Sequence, residues 1–349
     1  MIEKTIYVLL VVLALFVAGG MMLPTHVHVE RSTEIQRPVS TVFAVVNSFE
    51  SYPAWSPLTA RDPGLELEVS GPGSGVGARL SWSGDPRLVG TGWQEIVSSQ
   101  PGSLIEIRTQ LNLQGAADMA FHFEKIAGGV HLTWNFDADL TQGQGMIGGL
   151  LARYFGLFFD RWIGDDLELG LQRLKTFAEA LPAADFGGLD VSVVNVEPMN
   201  ILFVSSHSPG PRNDIATTLA DAFRELMTFM AENGLEISAQ PMAITRSWDE
   251  RGFRFDAAIP VEAGDIVTGG RVQRGVSPSG HAVRVVHRGS YADMTRSYEK
   301  LAAYMAVHGL REGRVSWEHY ISDPGQTPVD ERITHIYFLI DETAAGSKP

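Results

Sequence analysis

The chain has 349 residues, of which 44% are hydrophobic and 19% are charged, so it is long enough and apolar enough to fold into two domains. Its formal net charge of −14 disfavours non-specific binding to nucleic acid, because phosphate contacts need a clustered basic surface. The absence of cysteine excludes disulfide bonds, thiolate catalysis and cysteine-ligated metal sites.

The N-terminal segment is uncharged and long enough to cross a membrane. Thr5 to Leu23 (TIYVLLVVLALFVAGGMML) contains 19 residues without a charge, and as a helix it would span about 28 Å, close to the thickness of the hydrocarbon core. A cleaved signal peptide is the alternative, but its apolar region is usually only about 7–15 residues long. The best cleavage site, Ala18-Gly19-Gly20, also departs from the A-x-A pattern. The sequence therefore favours residues 1–25 as an uncleaved transmembrane anchor.

The basic residues that flank this segment give a weak signal for its orientation. Lys4 precedes the apolar run, with Glu3 beside it, and Arg31 is the first basic residue after the run. Because positive charge is enriched on the cytoplasmic side of membrane spans, this pattern predicts a cytoplasmic N-terminus. The protein is then a single-pass protein of the cell membrane, with its soluble domains on the extracytoplasmic side.

Residues 26–181 show the pattern of an antiparallel sheet followed by a helix. An alternating strand (HVHVERSTEI) is followed by a short helix that Pro38 can open. Short strands separated by glycine-rich turns come next and predict a curved antiparallel sheet. From Met146 to Ala180 apolar residues recur at helical spacing, which predicts one long amphipathic helix, with a break near Gly164 as an option.

This order of elements and three sequence stretches resemble the SRPBCC superfamily of START-like and polyketide cyclase-type proteins. The stretches are HVERSTEIQRPVSTVFAVVNSFESYPAWSP, GVGARLSW and HLTW. The resemblance implies a helix-grip fold with a cavity between sheet and helix for apolar ligands, and it implies no shared catalytic residue. His122 and His131 are expected at the surface. Four tryptophans are expected in the core or in the cavity wall, namely Trp55, Trp82, Trp93 and Trp134.

A linker and an internal repeat follow the predicted helix. Residues 182–190 combine proline, alanine and paired glycine without periodicity, which indicates a linker. Beyond it, two segments align when Gly234-Leu235 is laid on Gly309-Leu310, and the helix IATTLADAFRELMTFM then matches MTRSYEKLAAYM. Each half reads as strand, helix, strand, strand. Two such halves predict a sheet with a pseudo-two-fold axis, helices on one face and a cleft on the axis.

The repeat-containing domain, residues 191–345, resembles the GyrI-like domain, the effector-binding domain of AraC-type regulators. The stretches that carry this resemblance are HRGSYADM, HGL, SWEHYISDPGQTP and THIYFLI. It implies small cationic or aromatic ligands, a central cleft that contains the strand carboxylate Glu318, and Tyr291 in the cleft wall. Some members of the family hydrolyse strained electrophiles with this carboxylate. The expected ligand-binding residues are Glu318, Tyr291, Trp317 and Tyr320.

Glu318 is also unusual on the evidence of the sequence alone. In the strand RVSWEHYISD, side chains alternate, so Ser316, Glu318 and Tyr320 point to one face and Trp317 to the other. Glutamate is a poor strand former, and either a solvated strand face or a binding site explains it. The repeat alignment lays Glu318 on Ala243, so the carboxylate occurs in only one half. A residue needed only for the architecture would more naturally occur in both halves, which favours a functional role.

Three classes of function are compatible with these observations. The first, which we favour, is a membrane-anchored protein that binds a small molecule in each domain. The second is a hydrolase that acts through Glu318, or a cyclase-like activity in the first domain. The third is a transcriptional ligand sensor, which the acidic chain and the lack of a helix-turn-helix pattern disfavour.

Several motifs that would indicate catalysis or a bound group are missing from the sequence. There is no G-x-S-x-G, no H-E-x-x-H and no glycine-rich phosphate-binding loop followed by lysine. We therefore predict no cofactor and no metal site. The expected partners are a small-molecule ligand and the membrane, through Thr5 to Leu23, with no nucleic acid.

Overall fold

The computed structural model describes residues 2–111, 115–209 and 212–341 of the chain. These residues form two compact units, the first ending at Gly187 and the second beginning at Gly188. Residues 342–345, which the sequence assigns to the second domain, lie outside the described residues, as does Met1. The two units contain two antiparallel sheets and a long helix after the first sheet, which confirms the predicted α+β class.

The first unit begins with helix α1, Ile2–Met22, which contains the predicted span. Within the described residues, Lys4–Met22 is the one helix that is long and apolar enough to cross a membrane. Most of its large side chains are exposed. Such exposure is unfavourable in water, because each apolar side chain loses roughly 1.5–3 kcal/mol of burial free energy.

A seven-stranded sheet with the order β1-β7-β6-β5-β4-β3-β2 follows α1. Alternate residues of its strands are buried, as Val130, Leu132, Trp134 and Phe136 show on β7, so one face of the sheet carries the core. The elements are β1 His26–Ile35, α2 Val39–Val46, α3 Tyr52–Trp55, α4 Pro57–Arg61, β2 Glu66–Ser70, β3 Arg79–Ser83, β4 Thr91–Gln100, β5 Leu104–Leu111, β6 Gly115–Ile126 and β7 Gly129–Asp139.

Two helices close this unit, where the sequence predicted one. Helix α5 is Met146–Gly156 and helix α6 is Phe159–Ala180, so the break lies at residues 157–158 and not near Gly164. Gly164 lies inside α6 and is buried against the Arg31 guanidinium, which occupies the space that a side chain would need. Glycine therefore serves close packing there, while α6 buries Leu167, Leu171 and Leu174 at helical spacing.

The second unit contains the predicted duplication of strand, helix, strand and strand. The first copy is β9 Asn200–Ser208, α7 Arg212–Glu232, β10 Met242–Asp249 and β11 Gly252–Pro260. The second copy is β13 Gly280–Arg288, α8 Met294–Val307, β14 Glu312–Tyr320 and β15 Ile333–Ile340. Each copy is preceded by a short strand, β8 Val191–Val196 or β12 Gln273–Val276.

The two copies exchange these preceding strands in one eight-stranded sheet with the order β12-β9-β11-β10-β14-β15-β13-β8. Strand β8 precedes the first copy but pairs with β13 of the second, and β12 precedes the second copy but pairs with β9 of the first. The copies also join at the centre of the sheet, where β10 pairs with β14. The three strands of each copy are therefore paired on both sides with strands from the other half of the domain.

Candidate ligand-binding site around Glu318

Glu318 lies at the centre of this sheet, on the face that carries both helices of the repeat. Its cross-strand neighbours are Ala243 on β10 and Ile336 on β15, and Ala243 is in turn opposite Ala257 on β11. Directly opposite residues share a face of a sheet. Ala257 packs in the core that includes α7, and Ile336 packs in the core that includes α8. Glu318 is therefore flanked by one helix-covered core on each side.

Two tyrosine hydroxyls donate hydrogen bonds to the Glu318 carboxylate. Tyr298, on α8, donates to Oε1 at 2.5 Å, and Tyr320, on the same strand as Glu318, donates to Oε2 at 2.6 Å. Tyr320 can do so because residues two apart on a strand share a face. Short O–H···O⁻ bonds of this length are the charge-assisted kind. Both carboxylate oxygens are thus held in place by aromatic residues.

Aromatic rings also form the walls around this carboxylate. The Tyr320 ring lies 6.0 Å from Phe223 of α7 and 5.7 Å from Tyr291, both measured between ring centroids and both nearly perpendicular. Tyr291 begins the short 3₁₀ turn Tyr291–Asp293, which leads into α8. One face of Tyr291 already has a cation near it, because the Arg332 guanidinium lies 5.6 Å from the centroid of the Tyr291 ring. The walls come from both copies of the repeat.

The electrostatics around Glu318 are those of a carboxylate enclosed by protein. Its side chain is half-buried by accessible surface, and protein atoms surround it densely, so little water surrounds the carboxylate. Burial raises the pKa of Glu318, and the hydrogen bonds from Tyr298 and Tyr320, with the nearby His287, oppose this rise. Burial and the Glu318 charge raise the pKa of Tyr298 and of Tyr320 well above the ordinary value, so both remain donors.

No basic side chain of residues 2–111, 115–209 and 212–341 is paired with this carboxylate. His287 is occupied elsewhere, because its Nε2 lies 3.0 Å from the Ser290 carbonyl and its Nδ1 lies 2.9 Å from the Ser297 hydroxyl. The described part of the chain also contains no group of three His, Asp or Glu residues that could hold a metal ion.

The structure brings together three of the four residues that the sequence assigned to ligand binding. Glu318, Tyr291 and Tyr320 form one cluster of contacts, but Trp317 points to the opposite face of the sheet. There it is fully buried and stacks on Tyr337, with the ring centroids 4.9 Å apart. The alternation of the strand already separates neighbouring residues in this way, so Trp317 belongs to the core.

Tyr298 and Phe223 are the site residues that the sequence analysis missed. They lie 75 positions apart, the same offset that relates Gly234 to Gly309, so they are counterparts in the two helices. An aromatic residue at equivalent positions of both helices was therefore the signal available in the sequence. Only the fold shows that Tyr298 contacts Glu318 and that Phe223 contacts Tyr320.

A separate surface groove of about 400 Å³ is lined by residues of α7 and by Gly269 and Val272. Three of its charged side chains are paired, Arg224 with Asp221 at 2.6 Å and Glu225 with the neighbouring Arg271 at 3.0 Å. These pairs neutralise one another at an exposed surface, where they contribute little free energy. The groove has neither the enclosed carboxylate nor the cluster of aromatic rings found around Glu318.

The interior of the first unit contains buried polar groups of a different kind. Trp55, Trp82 and Trp134 are almost fully buried, and their indole N–H groups have no hydrogen-bond partner among the described residues. Trp93, which the sequence also assigned to the interior, is instead half-buried with the Arg79 guanidinium 3.9 Å from its ring centroid. Of the two histidines expected at the surface, His122 is exposed and His131 is half-buried.

Comparison with protein-family models confirms both resemblances. Residues 26–179 match the family described as polyketide cyclase / dehydrase and lipid transport, and residues 189–341 match the GyrI-like small molecule binding domain. Both domains are therefore of small-molecule binding types. A comparison with curated proteins gives no match.

Solved structures resemble parts of the chain. A hydrolase from Listeria innocua is 16% identical, with 43% of this chain and 91% of that chain covered and a TM-score of 0.33. The EcmrR C-terminal domain is 16% identical, with coverages of 44% and 98% and a TM-score of 0.37. The di-domain ARO/CYC StfQ from the steffimycin biosynthetic pathway is 17% identical, with coverages of 45% and 51% and a TM-score of 0.34.

Proposed function

We propose that this chain, which joins a polyketide cyclase/dehydrase-type domain to a GyrI-like small-molecule binding domain, is a membrane-anchored protein that binds a small molecule in each domain. In the second domain the ligand is a cation with an aromatic body. The observation that carries this proposal is the Glu318 carboxylate, which accepts hydrogen bonds from Tyr298 and Tyr320 but has no cationic partner among the described residues.

The chemistry of the cleft favours such a ligand for two additive reasons. An unpaired carboxylate surrounded by protein is costly, and a ligand cation would offset that cost. The faces of Tyr320 and Phe223 would attract the same cation through their quadrupoles, by about 0.5–2 kcal/mol for each well-placed ring. A neutral ligand of the same shape would gain only the apolar contacts.

For the first domain we propose an apolar ligand that carries hydrogen-bond acceptors. Three buried indole N–H groups, those of Trp55, Trp82 and Trp134, lack a protein partner. Each unsatisfied buried donor costs about 1–3 kcal/mol. A carbonyl or ether oxygen on an otherwise apolar molecule would satisfy such a donor while the aromatic surroundings bury the rest of the ligand.

We also propose that α1 remains attached as a single-pass anchor of the cell membrane, with the soluble domains on the extracytoplasmic side. Contacts between α1 and the folded unit support its retention. Arg153 of α5 donates to the carbonyls of Met21 and Leu23 at 3.2 and 3.4 Å, and so caps the C-terminal end of α1. Cleavage after Gly20 would spare these two bonds but would remove the Gly20 carbonyl, which accepts from Arg153 at 3.5 Å, and the Phe16 carbonyl, which accepts from the Tyr154 hydroxyl at 2.6 Å.

Ligand identity can be tested directly on the full chain. Native mass spectrometry of detergent-extracted protein would reveal a co-purified small molecule. Calorimetric titration with N-methylquinolinium and with its neutral isostere 1-methylnaphthalene isolates the contribution of charge. We expect the cation to bind more tightly to wild type, and equal affinities would contradict the proposed role of Glu318.

A hydrolytic activity is the second candidate, and the raised pKa of Glu318 is the observation that favours it. A carboxylate of raised basicity in a cleft with little water can act as a general base. Assays with a small aromatic epoxide would test this activity, because such a strained electrophile fits the same aromatic walls. Turnover that disappears in Glu318→Gln while binding persists would favour the hydrolase.

A further inference from the structure

Helix α5 and the turn that follows it expose a continuous series of large apolar side chains. In a soluble protein such residues are usually exposed singly, and contiguous exposed patches indicate an interaction surface. The exposed fractions here lie between 43% and 92%. The residues are Met146, Ile147, Leu151, Phe155, Leu157, Phe158 and Trp162.

This apolar surface is continuous with the end of α1. The ring of Tyr154 stacks on Phe16 with centroids 4.4 Å apart, and its hydroxyl donates to the Phe16 carbonyl at 2.6 Å. Leu150 packs directly on Gly20, where a larger side chain would not fit. Helix α5 is thus held against the last turns of α1, from Phe16 to Leu23.

The charge pattern of the same segment fits an apolar surrounding. Between Leu140 and Phe159 the chain has a single charged residue, Arg153. Its guanidinium does not face outward but donates to the terminal carbonyls of α1. The next charged residue is Asp160, which pairs with Arg31 at 3.2 Å. The exposed surface of α5 is therefore free of charge throughout.

We infer that α5 and the turn to Trp162 form a second membrane contact, inserted into the interface of the leaflet from which the C-terminal end of α1 emerges. This inference rests on the proposed anchor. Phe16 to Leu23 covers about 10 Å of helix axis, and interfacial helices bury their apolar face about 5–10 Å deep. Tyr154 and Trp162 are of the types enriched at membrane interfaces, and Phe158 is of a type common on the apolar face of interfacial helices. The occupant of the surface is the lipid bilayer.

The absence of cysteine in the chain permits a clean test with single-cysteine labels. The full-length protein, reconstituted in phosphatidylcholine vesicles, would carry an NBD fluorophore at Ile147→Cys or Phe158→Cys. Leu10→Cys, in the middle of α1, reports on the anchor itself. Val69→Cys, an exposed site on β2 at the opposite edge of the sheet from β1, is the aqueous control. Brominated lipids quench an NBD group that lies in the bilayer, and aqueous iodide quenches one that is exposed to water.

We expect labels at positions 147 and 158 to be quenched by brominated lipid several-fold more than the label at position 69. If they match position 69 while the label at position 10 is quenched by lipid, the anchor stands and the second contact is wrong. If the label at position 10 is aqueous, the anchor is wrong. The second contact, which is defined by the leaflet that α1 leaves, is then wrong as well.

Discussion

Ala243 and Glu318 are direct cross-strand partners at the centre of the eight-stranded sheet, and they are also counterparts in the internal repeat. The pairs on either side, Met242 with His319 and Ile244 with Trp317, are arranged symmetrically about this pair. The pseudo-two-fold axis therefore passes between Ala243 and Glu318. On one side of the axis is the small methyl group of Ala243, and on the other side is the carboxylate of Glu318. The single carboxylate removes the symmetry of the cleft and would give a bound ligand one orientation.

Replacing Glu318 by Gln retains the shape of the side chain and removes its charge. We expect the affinity for N-methylquinolinium to fall by about 1.5–3 kcal/mol, the range for a charged hydrogen bond, while 1-methylnaphthalene binds as before. The free energy of unfolding should stay unchanged or rise, because a costly buried charge is lost. Glu262→Gln, at an exposed position, is the matched control. If calorimetry shows that Glu318→Gln binds the cation as tightly as wild type does, Glu318 has no role in binding and is only an ordinary residue of the strand face.

Removing single tyrosine hydroxyls should separate the groups that stabilise the carboxylate from those that form the wall. Tyr298→Phe and Tyr320→Phe each delete a donor to Glu318, so the pKa of Glu318 should rise further. Tyr291→Phe keeps its ring and removes no bond to Glu318, so it should cost less affinity. The midpoint of the pH dependence of cation binding measures the difference. A midpoint displaced equally in all three variants would contradict this assignment.

Cation binding should depend on pH in a direction set by Glu318. Its pKa is raised by burial, so the free site is protonated at pH values where an ordinary glutamate is ionised. Affinity for N-methylquinolinium should be lost as the pH falls through this raised pKa and should be flat in Glu318→Gln. Between the ordinary and the raised pKa, the folded state binds a proton that the unfolded chain has released. The contribution of Glu318 to the free energy of unfolding therefore falls as pH rises through this window.

The second domain should fold on its own, but neither of its halves should. Residues 191–345 contain both exchanged strands, β8 and β12, and hence a complete sheet. Residues 191–271 would keep β8 without its partner β13 and β9 without its partner β12. Circular dichroism with thermal unfolding should show a cooperative transition for 191–345 alone. A cooperatively folded half would mean that the exchange is dispensable.

Full-length protein should remain in the membrane fraction after a high-salt wash. Burial of the apolar α1 in the bilayer does not depend on ionic strength. A peripheral protein held by charge would be released, because high salt shortens the Debye length and screens the attraction. The N-terminus of the mature protein provides the control. A sequence that begins after Gly20 would establish a cleaved signal peptide and remove α1 from the mature protein.

Local patterns were sufficient for much of this architecture and for part of the site. Alternation along β14 placed Glu318 and Tyr320 on one face, and the repeat offset identified Ala243 as the counterpart of Glu318. Tyr298 could not be identified in this way, because its hydroxyl reaches Glu318 from a helix and only the tertiary packing determines that distance. The break at residues 157–158 was missed for a related reason. The segment has helical periodicity throughout, and neither glycine nor proline occupies the break itself.

The exchange of edge strands also determines when this domain can fold during synthesis. Val193 of β8 pairs with Val283 of β13, and Leu202 of β9 pairs with Arg274 of β12, so both pairings join residues distant in sequence. Such contacts slow folding, since a long loop must close before they form. On the ribosome the first half emerges with the outer edges of β8 and β9 unpaired, for several seconds at about 5–20 residues per second. Its native structure must wait for the second half, so the two halves are completed together and not in succession.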